Sequence, residues 1–333
     1  MEWRLKCKLF LLELPKKMTQ IQPKLIIHGG ASSLDDKGGL IAVRQSLHSI
    51  VKEAYDLLLG GASAVEAVLR GCQLLEDEPH FNAGTGSVLQ SDGQIRMSAS
   101  LMDGSRQSFS GIINVSRVKN PIELAQFLQQ EEDRILSDYG AAELLRELQM
   151  PIYDPLTDFR LQEWMEERQT DFQRKMARLY ANPPSSSPDA PRRGTIGVVA
   201  LDSQGRIAAG TSTGGKGLER IGRVSDSAMP AGNYANSQAG VSCTGVGEDI
   251  IDECLGAKIV IRVTDGFSLP EAMAKSMAES SQNQRDLGAI ALDKTGTIAW
   301  GKTSEILLAA YHTGERIGDV LEWTGTEDLF GYV

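Results

Sequence analysis

The run Thr195–Asp202 (TIGVVALD) begins directly after a stretch that looks built to be cut, and no other feature constrains the chain as much. Residues 182–194, NPPSSSPDAPRRG, are rich in Pro and Ser, which predicts a flexible, exposed linker. The apolar, β-rich residues after it predict a strand. Breaking the Gly194–Thr195 bond would make Thr195 a new N-terminus, with a hydroxyl nucleophile and an α-amine on one residue. An α-amine with an unperturbed pKa of roughly 7.7–8.0 suits a general base near neutral pH, which the hydroxyl needs. One cleavage would complete a nucleophile–base pair.

The rest of the chain alternates between strand and helix signals. Lys24–His28 (KLIIH) predicts a buried strand ending at Gly29-Gly30. Apolar residues at helical spacing predict a helix over Leu40–Leu59, and the capping box Ser63/Glu66 starts a second that runs to about Leu75. Ile95–Leu101 and Phe109–Val118 read as strands around the Asp103-Gly104 turn. Asn120-Pro121-Ile122-Glu123 opens another helix, with Asn120 as its cap. Residues 138–181 predict helices projecting from the sheets. Two hairpins follow, TIGVVALD with RIAAGTST and GAIALD with TIAWG, the second continued by a strand in EILLAAY. Between them lie helices over Glu248–Ile261 and Ser268–Ser280. This order predicts an α+β fold, with antiparallel sheets face to face and helices outside.

Composition excludes several classes. Of 333 residues, 41% are hydrophobic and 23% charged, enough to bury one large core or two smaller ones. The net charge of −10 argues against nucleic acid, whose phosphates need a basic face. The four cysteines show no close pair, which favours a reducing, cytoplasmic setting, and the four histidines form no zinc motif. No run is long enough to span a membrane. Residues 1–20 carry an apolar stretch broken by Glu13, so they read as a non-essential extension, with translation starting at Met18, rather than a secretory signal.

Two local motifs offer other chemistry. Gly210-Thr211-Ser212-Thr213-Gly214 matches a nucleophile elbow, with Ser212 as nucleophile and His312 as base, but an elbow needs a helix after the turn and Gly215-Lys216-Gly217 starts none. Gly245-Val246-Gly247 opens a helix like a dinucleotide loop, yet Glu248 and Asp249 there would repel a pyrophosphate. Arg223 and Asp226, three apart, also fit a plain surface ion pair.

Five motifs in order resemble one family. One is Thr195-Ile196-Gly197 with Thr211–Gly215 following; the other four are His28-Gly29-Gly30-Ala31, Phe81–Gly86, Gly222–Ser227 and Ser242-Cys243-Thr244-Gly245, and Met102-Asp103-Gly104 fits too. From about Lys24 to the C-terminus, the chain resembles the plant-type L-asparaginases. These are also isoaspartyl peptidases, within the N-terminal-nucleophile hydrolases. The resemblance implies a four-layer αββα sandwich made as a self-cleaving precursor. Residues 21–194 would form an α subunit and 195–333 a β subunit, together one catalytic domain that self-associates as (αβ)2.

Carried over residue by residue, the resemblance makes Gly194–Thr195 the scissile bond and Thr195 the nucleophile. Thr213 would activate the Thr195 hydroxyl, and Asn82 would lie against it. Arg223 would pair with the substrate α-carboxylate, a task for its planar fork. Asp226 and the Gly247 carbonyl would hold the α-ammonium, with the Thr244 side chain and Gly245 N–H as oxyanion hole. The small-molecule substrate would be L-asparagine or a β-aspartyl dipeptide. No organic cofactor is implied. Backbone carbonyls of Leu75, Glu76, Glu78, Phe81, Ala83 and Thr85 would hold a structural sodium ion, since carbonyl oxygens suit a hard cation.

The sequence departs from the family pattern at Lys216–Ile221, Ser225 and Ala228-Met229, positions bordering the expected groove. A glycosylasparaginase on the same fold, or a non-catalytic or Ser-type protein, remain as alternatives.

Overall fold

The computed structural model describes residues 21–31, 38–180, 194–324 and 328–333, with side chains left out for 172–180. The expected N-terminal extension, 1–20, and the linker up to residue 193 lie outside the described residues.

The elements before residue 194 are β1 (Lys24–His28), α1 (Gly39–Leu59), α2 (Ala64–Asp77), β2 (Met97–Asp103), β3 (Ser108–Val115), α3 (Pro121–Leu128), β4 (Ile135–Ser137), α4 (Asp138–Glu147) and α5 (Asp158–Tyr180). After it come β5 (Ile196–Leu201), β6 (Ile207–Thr213), β7 (Asn233–Ala235), β8 (Ala239–Gly245), α6 (Gly247–Glu253), α7 (Leu255–Thr264), α8 (Leu269–Gln282), β9 (Leu287–Asp293), β10 (Ile298–Lys302), β11 (Ala309–His312), β12 (Ile317–Asp319) and β13 (Phe330–Tyr332). They form an eight-stranded sheet, β12-β11-β1-β5-β6-β2-β3-β4, and a five-stranded sheet, β13-β10-β9-β8-β7.

The central strands read as unbroken apolar runs because both their faces are covered. Leu25 and Ile27 of β1, and Ile196, Val198 and Ala200 of β5, pack with α1–α3 in one core. Their neighbours Ile26, Val199 and Leu201 point the other way, into a core shared with Ile290, Leu292 and Ile298 of the second sheet. A third core joins the far side of β8 and β9 to α7 and α8. Each fully buried Leu or Ile contributes about 1.5–3 kcal/mol relative to exposure.

Strand alternation then decides which residues meet at the junction. On β6, Ile207 and Ala209 face the second sheet, so Thr211 and Thr213 do as well. On β5 the register Gly197↔Thr211 puts Gly197 on that same inner face. A Cβ there would come within 1.9 Å of Ser242 Oγ and 2.5 Å of His28 Nε2. On β8, Val241 and Cys243 join the helix-side core, which turns Ser242 and Thr244 inward. Ser212 has the opposite parity and is fully buried, turned toward the Glu76 carboxyl on the other side of the sheet. No helix follows it, so the elbow reading fails. Its supposed base, His312, instead stacks on Tyr55, their ring centroids 3.5 Å apart.

Three expectations need correction. Asn120 does not cap α3: its amide donates to Asp77 Oδ1 at 3.0 Å, while Glu76 Oε1 accepts from Ile122 N at 3.2 Å. The helix expected over Glu248–Ile261 breaks at Cys254, whose φ is 47°, because Gly256 N and Ala257 N bond to Ala231 and Pro230 carbonyls. The EILLAAY strand starts only at Ala309 and joins β1 in the other sheet instead of extending its hairpin. The capping box on α2 and both hairpins form as the sequence predicts.

Candidate active site

Thr195 ends the inner-face row of β5, directly across from Thr213 at the end of β6. Its side chain is 6% exposed and its hydroxyl donates to Thr213 Oγ1 at 3.2 Å. Gly215 N donates to the same Thr213 oxygen at 3.2 Å. Thr195 N donates to Thr244 Oγ1 at 3.3 Å, and Ala31 N reaches that oxygen at 3.1 Å. With two N–H groups on its oxygen, Thr244 keeps its own hydroxyl proton to donate.

Asn82 ties the junction together from behind. Its Nδ2 donates to Gly194 O at 2.9 Å and Gly215 O at 2.6 Å, and its Oδ1 accepts from Val88 N at 3.0 Å. The approach of residue 194 is tight: a Cβ on Gly30, where φ is +114°, would lie 2.4 Å from Gly194 Cα. Only glycine fits there. His28, fully buried below, shares a hydrogen bond with Ser242 Oγ at 2.9 Å. Burial pushes its pKa down to about 3, so it stays neutral.

In front of Thr195 lies a cavity of about 270 Å³, lined also by Thr213, Arg223, Asp226, Gly245 and Gly247. This volume suits a ligand the size of an amino acid. Six of the expected site residues thus converge on one space; Asn82 and Thr244 do not line it but hold the Gly194–Thr195 backbone from behind.

Arg223 and Asp226 do not form the plain ion pair. Arg223 instead donates to Glu248 through Nε at 2.8 Å and Nη2 at 2.9 Å, holding that carboxyl down at about 2. Asp226, 3% exposed, leaves Oδ2 without a hydrogen-bond partner. Gly247 brings both groups together, because a Cβ there would sit 2.7 Å from Arg223 Nη2 and 2.8 Å from Asp226 Oδ1.

Burial pushes the Asp226 carboxyl up to about 7, against the opposing pull of Arg223. In the free protein this acid holds its proton where the unfolded chain has lost it, so its contribution to stability falls as pH rises from about 4 through 7. Binding of a ligand ammonium at this carboxyl would run the other way, because an ammonium group needs the ionised carboxylate. Affinity for L-aspartate, measured by calorimetry, should rise with pH through about 7 and then level off. Asp226→Asn should bind weakly with no such rise; a flat profile in the unmodified protein would remove Asp226 from ammonium recognition.

Lys216, in the segment expected to border the groove, lines the cavity, and so does Glu248, which sequence reasoning did not single out as a cavity residue. Glu248 shows only as a helix-start carboxylate, and Lys216 only as a departure from the family pattern.

Two facing sheets, with a hydroxyl cluster at the start of a central strand, point to a hydrolase of the N-terminal-nucleophile type. The chain belongs to the asparaginase family: a family model described as Asparaginase matches residues 21–322. An isoaspartyl peptidase/L-asparaginase from Synechocystis sp. is 73% identical over 302 residues, covering 91% of this chain and 91% of its own length. A protein of the same name from Nostoc sp. is 70% identical over 305 residues, 91% of this chain and 96% of its own. A plant-type L-asparaginase from Pyrococcus horikoshii is 34% identical over 297 residues, 86% and 95% respectively. Among the described residues, no helix is long and apolar enough to cross a membrane.

Proposed function

We propose that the chain is a self-processing threonine hydrolase that cleaves the side-chain amide of L-asparagine and of β-aspartyl dipeptides, releasing L-aspartate. The observation that carries this reading is the Thr195 hydroxyl, bonded to Thr213 and facing a cavity that Arg223 and Asp226 also line. The names of the Synechocystis and Nostoc relatives support the same substrates.

The chemistry runs twice on one hydroxyl. In the precursor, Thr195 Oγ1 attacks the Gly194 carbonyl, which Asn82 Nδ2 polarises. The Gly194–Thr195 C–N bond then breaks as its nitrogen takes up the hydroxyl proton, which frees the Thr195 amine and leaves an ester that water hydrolyses to the Gly194 carboxylate and the Thr195 hydroxyl. With substrate, Arg223 takes the α-carboxylate, while Asp226 and the Gly247 carbonyl take the α-ammonium. Thr195 Oγ1 then attacks the side-chain carbonyl carbon, and the α-amine receives the hydroxyl proton. The oxyanion rests on the Thr244 hydroxyl and Gly245 N–H, the kind of preorganised pair whose loss costs about 3–4 kcal/mol. Ammonia or an amino acid departs with a proton. Water opens the β-aspartyl ester and restores the threonine.

Residues 21–194 and 195–333 are then the α and β subunits of one catalytic domain, assembled as (αβ)2 on a four-layer αββα sandwich. The cysteines at 72, 243 and 254 are unpaired, which supports a reducing, cytoplasmic setting.

Carbonyls crowded into the turn after α2 support a structural sodium ion there. A Cβ on Gly84 would lie 2.3 Å from Glu76 O, and one on Gly86 would lie 2.3 Å from Pro79 O and 3.0 Å from Phe81 O. Carbonyls thus crowd a glycine-bearing loop at a helix C-terminus, where their partial charges favour a cation. Leu75, Glu76, Glu78, Phe81, Ala83 and Thr85 would hold it, and the ion would only brace the loop that carries Asn82.

Intact-mass measurement on fresh and aged protein tests the processing step. The expected product is a 139-residue fragment, residues 195–333, beginning Thr195-Ile196-Gly197. A chain that stays at 333 residues through prolonged incubation would overturn the reading.

A further inference from the structure

The Arg223 fork is already taken by a carboxylate of the protein itself. Glu248 occupies Nε and Nη2 together, the side-on edge of the guanidinium. Nη2 is also the atom nearest the corner formed by Gly247 and Asp226. A substrate whose α-ammonium sits in that corner carries its α-carboxylate one carbon away, on the same edge. Glu248 and the substrate therefore claim the same donors. Two carboxylates cannot share them cheaply in a site that also holds Asp226, because like charges a few ångströms apart repel strongly where water is scarce.

Lys216 stands ready on the other side of Glu248. Its Nζ lies 3.4 Å from Glu248 Oε1, the same oxygen that Arg223 Nε binds at 2.8 Å. That is longer than the ~2.7–2.9 Å of a well-made ammonium–carboxylate bond, so the second pairing is unfulfilled while Arg223 keeps its hold. The Lys216 side chain is 56% exposed and Glu248 50%, against 13% for Arg223. The two outer groups can swing at the cavity mouth while the inner one stays put.

We infer that Lys216 is a positioning residue for substrate recognition, taking over the Glu248 carboxylate when the substrate α-carboxylate claims Arg223. The inference rests on the proposed hydrolase reading, in which Arg223 binds that carboxylate. Glu248 then acts as an internal competitor, and Lys216 sets how easily it yields.

The test is a double-mutant cycle on the processed protein, with KM and kcat for L-asparagine and a β-aspartyl dipeptide, and Kd for L-aspartate by calorimetry. Glu248→Gln should lower KM and Kd by about three- to tenfold, because the competing charge is gone. Lys216→Met should raise both by about two- to fivefold, with the change in KM rather than kcat, and Lys216→Arg should restore them. In the Glu248→Gln background, Lys216→Met should have no further effect. A rise in KM on Glu248→Gln would make Glu248 a support for Arg223 and overturn the inference. So would a Lys216→Met effect of equal size in both backgrounds. An unmodified protein that neither processes nor turns over would instead overturn the hydrolase reading itself, a result these two variants do not produce. Both side chains are half exposed, which keeps loss of folding out of the comparison.

Discussion

Thr195→Ala is expected to leave the 333-residue chain uncut and to lower turnover by at least about 10⁴-fold, the scale seen when a hydrolase loses its nucleophile. Both losses would follow from one missing atom, because in the proposed mechanism the same hydroxyl attacks the Gly194 carbonyl first and the substrate later. The fold should survive. Thr195 contributes one hydrogen bond to Thr213, and that oxygen keeps its bond from Gly215 N. Intact mass reports the processing and an ammonia-release assay the turnover. A variant that still cuts at residue 194 would move the nucleophile elsewhere. Thr213→Val, which keeps the shape, would then be the next variant to make.

Arg223→Ala should process normally yet lose about 10²–10³ in kcat/KM, the range expected when one partner of a partly buried charge pair is truncated. The loss is compounded at Asp226. Arg223 pulls the Asp226 carboxyl down against the effect of burial, so its removal lets that pKa rise further above 7. Near neutrality Asp226 then stays protonated, and the ammonium contact weakens along with the carboxylate contact. Arg223→Lys should recover only part of the loss, since an ammonium is a point charge without the planar fork. Unchanged kinetics in Arg223→Ala would take this residue out of the site.

The junction was legible because two signals coincide there: a linker composition up to Gly194 and an apolar strand immediately after it. That Thr213 stands beside Thr195 came from the resemblance, and the hairpin register Gly197↔Thr211 supplies its physical reason. Arg223, Asp226 and Thr244 were placed only by resemblance. They lie on different strands and turns, and no local pattern says that they share a cavity. Glu248 was overlooked, and Lys216 noted only as part of a segment bordering the groove, for a related reason. Their significance is a three-body contact with Arg223 across residues 216, 223 and 248, while each alone reads as a solvated charge. The same holds for Glu76, which caps α3 across 46 positions of sequence, so Asn120 looked like the cap. The final strands were misjudged because EILLAAY pairs with β1, nearly three hundred residues away.

The strand order of the large sheet has a further consequence. β1 lies between β11 and β5, and β6 lies between β5 and β2, so strands from either side of residue 194 are interleaved. Severing the backbone at that point removes no rung of the ladder, and the two pieces stay woven together. What changes is molecularity. An intact chain finds its own missing strands at the cost of closing a loop, which rises slowly with length. Two separate polypeptides must first meet, and although residues 195–333 own the whole five-stranded sheet, neither piece owns the eight-stranded one. If the chain is cut there as proposed, folding would belong to the uncut chain, and the cut protein would depend on how slowly it comes apart. Its native state would then be a product of history, reached once and held by its barrier.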